Sequence, residues 1–379
     1  MKVLLIDPWG TKNTSDYLNG LAYGLSKHAE LTLATNFYYE KKTNANYLVL
    51  PIFFKKSENA KNSLFRKIIR GFEYLFAYKK IMNLIKKNGY DFIHINWLLN
   101  YKQDIFFLKK IKKRFNAKII YTAHNVLPHT NGEKYLKSLK AIYSIVDRIV
   151  LHGLEIKDEF QRYFPSLINK IYIQKHGSNL IPNIYFDKDK IDSAIIEKIE
   201  KFDRKFIFFG RIFYNKGIDR VANYWLKNEV DALLIIAGGL FSEFPEYEKL
   251  IPELEKKENV LILNEFVDDN LLNYLIYSSD MILLPYRHAS MSGVVFTAAD
   301  FKKTILFTDC GSIKEYLKPG VDSFVCENND ECLNKALAVA TSESKEKLIS
   351  MGKNLSSNIN TSCEWGNVAS LLIEECYLK

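Results

Sequence analysis

The chain has 379 residues, 47% of them hydrophobic, and a net charge of +9. That length exceeds one ordinary core, so two domains are expected, and no stretch is low-complexity or repeated at a fixed period. Five scattered cysteines, Cys310, Cys326, Cys332, Cys363 and Cys376, form no CxxC and pair with no histidine, which argues against a zinc site and for a reducing compartment.

Lys2–Ile6 reads as a buried strand. Its apolar run stops at Asp7 and Pro8, too soon for a signal peptide. The loop that follows, DPWGTKN, carries Gly10 but no GxGxxG, so hydride-transfer chemistry on a dinucleotide is not expected. Thr14 or Ser15 caps a helix to about Ser26. Strands follow at Leu31–Phe37 and Tyr47–Ile52.

The positive charge is concentrated in residues 55–118. Seventeen Lys and Arg there face four acids, Glu58, Glu73, Asp91 and Asp104, a surplus larger than the net charge of the whole chain. Within it Leu64–Lys87 reads as a helix, with Phe65, Ile68, Ile69, Phe72, Leu75 and Phe76 at helical spacing. Arg66, Lys67, Arg70, Lys79 and Lys80 lie between them. Two readings stand side by side. Such a helix can lie in the interface of an anionic membrane; it can equally be a core helix whose lysines face water. Nucleic acid is not an expected partner, because no nucleic-acid module accompanies the charge. No apolar run reaches the length of a bilayer span.

Strands continue at Asp91–Asn96, Ala117–Ala123, Arg148–Leu151 and Lys170–Gln174. Helices fall at Ile105–Phe115, about Glu133–Ile145 and Glu155–Tyr163. Strand–helix alternation predicts a parallel, doubly wound sheet. After HGSN, His176–Asn179, a polar stretch with Pro182 reads as the linker. A second series of strands follows at Lys205–Phe209, Ala232–Ala237, Val260–Leu263, Asp280–Leu284, Thr304–Phe307 and Ser323–Cys326. Thr361-x-x-Glu364 reads as a capping box opening a last helix, Cys363–Tyr377. The expected division is 1–179, 180–355, and a C-terminal helix in 356–379 that packs back on the first domain.

Three stretches carry chemistry. In FIFFGRIFYNKG, Phe206–Gly217, an apolar strand stops at Gly210 and two cations, Arg211 and Lys216, precede a helix starting near Gly217. That arrangement suits an anion, since Arg grips a phosphate through two donors and Lys adds a point charge. Read alone, the two cations could also be solvated surface charges. In PYRHASMSGVVFTAADF, Ser292, Gly293 and Val294 would offer backbone N–H groups at a helix start, at the same sheet end. Two segments converging on one anion fit a diphosphate. In the first domain His124 follows a strand end, where it could act as general base or hydrogen-bond a substrate hydroxyl. His129 is its neighbour or merely a loop residue.

The order of HNVLPH, HGSN, FGRIFYNKG, LLIIAGG, NEFVDDNLLNYLIYSSDMILLPYR, SGVV and the terminal CEWGNVASLLIEECY resembles the two-domain nucleotide-sugar glycosyltransferases of the GT-B fold, in particular family 4. The resemblance spans nearly the whole chain and is more specific in the C-terminal half. It implies an α/β fold of two Rossmann-like domains facing a cleft. A nucleoside diphosphate sugar, of UDP or GDP type, would be the co-substrate, with no further cofactor and no metal. Arg211 and Lys216 would grip the diphosphate, and Ser292–Val294 would cap it. Phe266 and Val267, with Tyr286, would hold the nucleoside. Gly10, His124 and His129 would lie on the acceptor side. One departure stands out. The family usually carries two glutamates eight positions apart around the loop glycine; here Ser290 and Ala298 occupy those positions. Arg287, His288 or Ser292 could compensate.

The expected activity is sugar transfer to a saccharide, lipid-linked and at the cytoplasmic membrane face given the basic aromatic helix, as in surface polysaccharide assembly. The alternatives are a nucleotide-sugar epimerase of the same fold, a non-catalytic nucleotide or sugar binder, and a membrane scaffold.

Overall fold

The computed structural model describes residues 1–11, 15–60, 62–128, 132–289 and 292–379. The chain divides into two units, Met1–Leu180 with Ser362–Lys379, and Ile181–Thr361. Each is a parallel sheet covered by helices.

The strands of the first unit are β1 (Lys2–Asp7), β2 (Glu30–Asn36), β3 (Leu48–Phe53), β4 (Phe92–Ile95), β5 (Lys118–Thr122), β6 (Arg148–Leu151) and β7 (Ile171–Ile173). They pair in the order β3-β2-β1-β4-β5-β6-β7. Side chains alternate across a strand, so each residue of the apolar run in β1 chooses one of two cores. Val3 and Leu5 join the core beneath Ser15–Ser26 and the C-terminal segment. Leu4 and Ile6 join the opposite core, beneath Ser63–Asn88 and Tyr101–Arg114.

The second unit holds β8 (Lys205–Phe209), β9 (Leu233–Ala237), β10 (Val260–Leu263), β11 (Met281–Leu284), β12 (Thr304–Thr308) and β13 (Ser323–Cys326), ordered β10-β9-β8-β11-β12-β13. Both sheets therefore reverse direction of winding beside their first strand, between β1 and β4 and between β8 and β11. Loops at the carboxyl ends of such a pair diverge to opposite faces and leave a crevice where open α/β sheets bind ligands.

The basic helix spans Ser63–Asn88, with the Asn62 side chain accepting from the Leu64 and Phe65 N–H groups. Only its later part faces the core, through Tyr74, Ala77, Tyr78, Ile81, Met82 and Ile85. The earlier aromatic row is exposed: Phe65 at 60%, Phe72 at 60% and Phe76 at 63%. Ile69 is half-buried.

The capping box expected at Thr361 does not form. The preceding helix runs Lys345–Ser362 and contains Thr361, whose hydroxyl donates to the Ser357 carbonyl. Glu364 is itself the N-cap of Trp365–Leu372, accepting from the Asn367 N–H. A carboxylate at that position also favours the helix dipole. Trp365, 2% exposed, is seated where Gly20 and Gly177 leave room. A Cβ on either would fall 2.1 or 2.2 Å from its ring. Its indole N–H donates to the Ser178 carbonyl. None of the five cysteines is in a disulfide, and no helix among the described residues is long and apolar enough to cross a membrane.

Candidate functional site

In the second unit the site is built at the β8–β11 reversal. β8 ends at Phe209, and Gly210 turns the chain with φ +106°. Arg211 is exposed, its guanidinium 4.7 Å from the Phe241 ring centroid. A short turn, Tyr214–Lys216, leads to Gly217 and the helix Ile218–Lys227. Gly217 is left-handed (φ +66°), and a Cβ there would stand 2.0 Å from the Pro285 carbonyl oxygen. That close approach brings the loop after β8 against the loop after β11. Lys216 Nζ then lies 3.7 Å from the centroid of Tyr286, whose hydroxyl is 3.3 Å from Ser292 Oγ. Gly293 caps Val294–Asp300 without a side-chain bond, and no described atom lies within 4 Å of where its Cβ would stand.

Two salt bridges hold this junction. Arg287 makes a bidentate pair with Asp219 at 2.8 and 2.7 Å, and its backbone N–H donates to the Asn215 carbonyl. Arg220, buried, donates to Asp330 at 2.6 Å and to the Pro285 carbonyl. Asp219 and Arg220 escaped the sequence reading; a helix-start Asp-Arg pair carries no local signal of partners more than 60 residues away. Arg287, a candidate to replace the absent glutamates, is committed to Asp219.

Phe266 is 89% exposed on the loop before Asp269–Ser278, with Val267 half-buried beside it. The strand order puts that loop two strands from β8 on one side, whereas Tyr286 follows β11 on the other. Tyr286 is itself buried beneath Lys216. Ala298 is wholly buried in its short helix, so no polar side chain projects from that position. Ser290 lies outside the described residues.

In the first unit the corresponding loops follow β1, β4 and β5. Asp7 is buried, its Oδ1 accepting from the Trp9 and Gly10 N–H groups and its Oδ2 from Asn96 Nδ2 at 2.6 Å. Burial pushes the Asp7 carboxyl up to about 6, against those hydrogen bonds. Asn96 Oδ1 in turn lies 3.0 Å from His124 Nε2. An amide that spends its N–H on Asp7 offers only its oxygen to the ring, so Nε2 carries the proton and Nδ1 is the acceptor. Burial, then the neighbouring His152 and His176, hold His124 well below the ordinary imidazole range, hence neutral. The ring stacks on Trp97 at 4.3 Å and 11°. It lines a cavity of about 370 Å³ with Trp97, Tyr101 and Tyr121. Gly10 lines a separate one of about 280 Å³ with Tyr38 and Lys42. His129 lies outside the described residues. Asp7, Asn96 and Trp97 were not singled out from the sequence. Among the described residues no group of three or more His, Cys, Asp or Glu could hold a metal ion.

Residues 189–356 match the family model described as Glycosyl transferases group 1. No curated protein matches the chain. Three solved structures are similar in fold. HepE from Anabaena, in complex with UDP, has a TM-score of 0.67 at 14% identity, over 100% of both chains. Sucrose-phosphate synthase from Thermosynechococcus elongatus has 0.65 at 14%, over 100% of this chain and 98% of that one. WaaG, a glycosyltransferase involved in lipopolysaccharide biosynthesis, has 0.56 at 13%, over 99% of each. The fold is GT-B.

Proposed function

We propose that this chain, whose second unit matches the glycosyl transferases group 1 model, is a glycosyltransferase that moves a sugar from a nucleoside diphosphate donor held by the second unit to a saccharide acceptor held by the first. The observation that carries the reading is the meeting of Lys216, Tyr286 and Ser292 at the β8–β11 reversal, with Arg211 on the same loop. Arg211 and Lys216 balance the charge that grows on the leaving diphosphate as the bond from the sugar's anomeric carbon to the phosphate oxygen breaks. Those two cations supply what a metal would otherwise supply, and the reaction is read as metal-independent on their account. Ser292, Gly293 and Val294 cap the diphosphate, and Phe266 with Val267 borders the nucleoside. UDP is the first donor base to test, because HepE was solved with UDP.

On the acceptor side, a neutral His124 whose Nδ1 has no partner among the described residues accepts the hydrogen of a hydroxyl and orients its oxygen for attack. Gly10 belongs to the loop beside it. The exposed row Phe65, Phe72 and Phe76, flanked by Arg66, Lys67 and Lys79, fits an anionic membrane surface and a lipid-linked acceptor, as in surface glycan synthesis.

Thermal shift with UDP, GDP and ADP, repeated on Arg211→Ala, tests the donor site. A ligand that binds only the native state raises Tm. A shift with one diphosphate that disappears in the variant is expected. No shift with any of them sinks the donor reading. Turnover of a nucleotide sugar without any acceptor would favour the epimerase.

A further inference from the structure

The His124 cavity adjoins a second hollow of about 640 Å³; the two share Tyr101 and Pro128. Together they form a groove along the first unit, each part within the ordinary size of a small-molecule site. One end is His124 stacked on Trp97. In the middle Tyr101 and Tyr135 meet edge to face, ring centroids 5.3 Å apart. At the far end stand Lys102 and Lys134. No carboxylate lines either hollow, and neither lysine has an ion-pair partner among the described residues.

We infer that this groove binds a phosphate-bearing saccharide, with a sugar hydroxyl at His124, the ring on the aromatic floor and the phosphate between Lys102 and Lys134. The inference rests on the reading of the first unit as the acceptor side and adds the acceptor's chemical class. Pyranose rings present apolar C–H faces that cover aromatic side chains, and Tyr gives such area with little conformational entropy to lose. A phosphate monoester carries nearly two negative charges at neutral pH, matching two lysines; a uronate carries one. The lysine end also neighbours the apolar surface. Lys102 is in the first turn of Tyr101–Arg114, which packs on Ser63–Asn88 through Tyr78 stacked on Phe107 at 4.3 Å. The same helix exposes Phe106. A sugar joined to a lipid through a diphosphate, which likewise carries two negative charges, would meet both features together.

The test uses the full chain and the variant Lys102→Met/Lys134→Met, in which two exposed side chains keep their length and lose their charge. Probes are phosphatidylcholine vesicles doped with a polyprenyl diphosphate hexose, vesicles doped to equal charge with phosphatidylserine, soluble hexose 1-phosphates, inorganic phosphate, methyl glucuronide and methyl glucoside. At least tenfold tighter binding of a phosphate-bearing probe than of the glucuronide or glucoside is expected, and the variant should lose it. Preference for the polyprenyl diphosphate hexose over phosphatidylserine assigns a lipid headgroup as the source. Binding of hexose 1-phosphates without that preference assigns a free sugar phosphate. The inference is overturned if the variant binds as the parent does. Equal binding of the glucuronide or glucoside overturns it too, as does inorganic phosphate binding as tightly as every sugar phosphate. The UDP-induced Tm shift, read in the same samples, reports the donor site separately and should be equal in parent and variant.

Discussion

The Lys216 ammonium rests 3.7 Å from the centre of the Tyr286 ring, joining two loops that lie 70 residues apart in sequence. Tyr286→Leu keeps an apolar floor but removes the ring's negative face. A loss of about 0.5–2 kcal/mol in UDP affinity is expected. Lys216→Ala and Arg211→Ala each remove a charged donor and should cost about 1.5–3 kcal/mol. Calorimetric titration with UDP reads all three. Unchanged affinity in Tyr286→Leu would make the ring mere packing.

The Asp219–Arg287 pair is a scaffold for that junction. Asp219→Asn should destabilise the second unit by about 2–4 kcal/mol, because the half-buried guanidinium loses its counter-charge and finds an NH2 donor in place of one of its two acceptor oxygens. Arg287→Lys should not restore it, since an ammonium cannot bond both carboxylate oxygens in plane. Urea unfolding provides the measurement, and a shift below about 0.5 kcal/mol would contradict the clamp.

Stability should fall as pH drops through about 6. Burial holds His94 and His152 near 3, and His124 and His176 also below the ordinary imidazole value. The unfolded chain takes up these protons from pH 6.5 downward while the native chain refuses them, so the stabilisation present at neutral pH is lost. Asp7 and Asp104 oppose this. Burial pushes them up to about 6 and about 7, so the native state keeps protons that the unfolded state releases above 3.8. The four buried imidazoles outnumber the two carboxyls, so near pH 5 the net effect of acidification is a loss of stability. Calorimetric Tm between pH 7 and 5 checks the sign; a flat profile would mean the imidazoles are not held neutral.

His124 should show a single tautomer. Long-range proton–nitrogen correlations on imidazole-labelled protein are expected to find Nε2 protonated and Nδ1 bare. Asn96→Asp replaces the amide oxygen by a carboxylate, which favours the imidazolium and should raise the His124 pKa. A protonated Nδ1 in the parent would refute the relay from Asp7.

Replacing Phe65, Phe72 and Phe76 with Ser should leave Tm nearly unchanged, because these rings are exposed and touch no core. Co-sedimentation with anionic vesicles should drop sharply. Retained binding would leave the aromatic row without a membrane role.

Strand positions were legible because a strand buried on both faces must be a continuous apolar run, as in FIFF and LLIIA. The glycine ending β8 and the cations after it were legible for the same reason: they interrupt such a run. What stayed hidden was every partner set by folding. Asn96 reaches Asp7 across 89 residues, and Asp219 reaches Arg287 across 68. The earlier part of the basic helix shows the limit of periodicity, which finds an apolar stripe but not what covers it. At Thr361 the local pattern lost to the preceding helix, whose extra turn absorbed the residue expected to cap.

The seat of Trp365 has a consequence for biosynthesis. Gly20, Gly177 and the ring they accommodate lie in one core, yet the tryptophan is translated 188 residues after Gly177. At 5–20 residues per second a ribosome needs on the order of 10–40 s to supply it. Throughout that interval the nascent first unit has a hole where its last helix belongs, while the second unit emerges whole. The part made first is finished last, and during translation it is the part most in need of a chaperone.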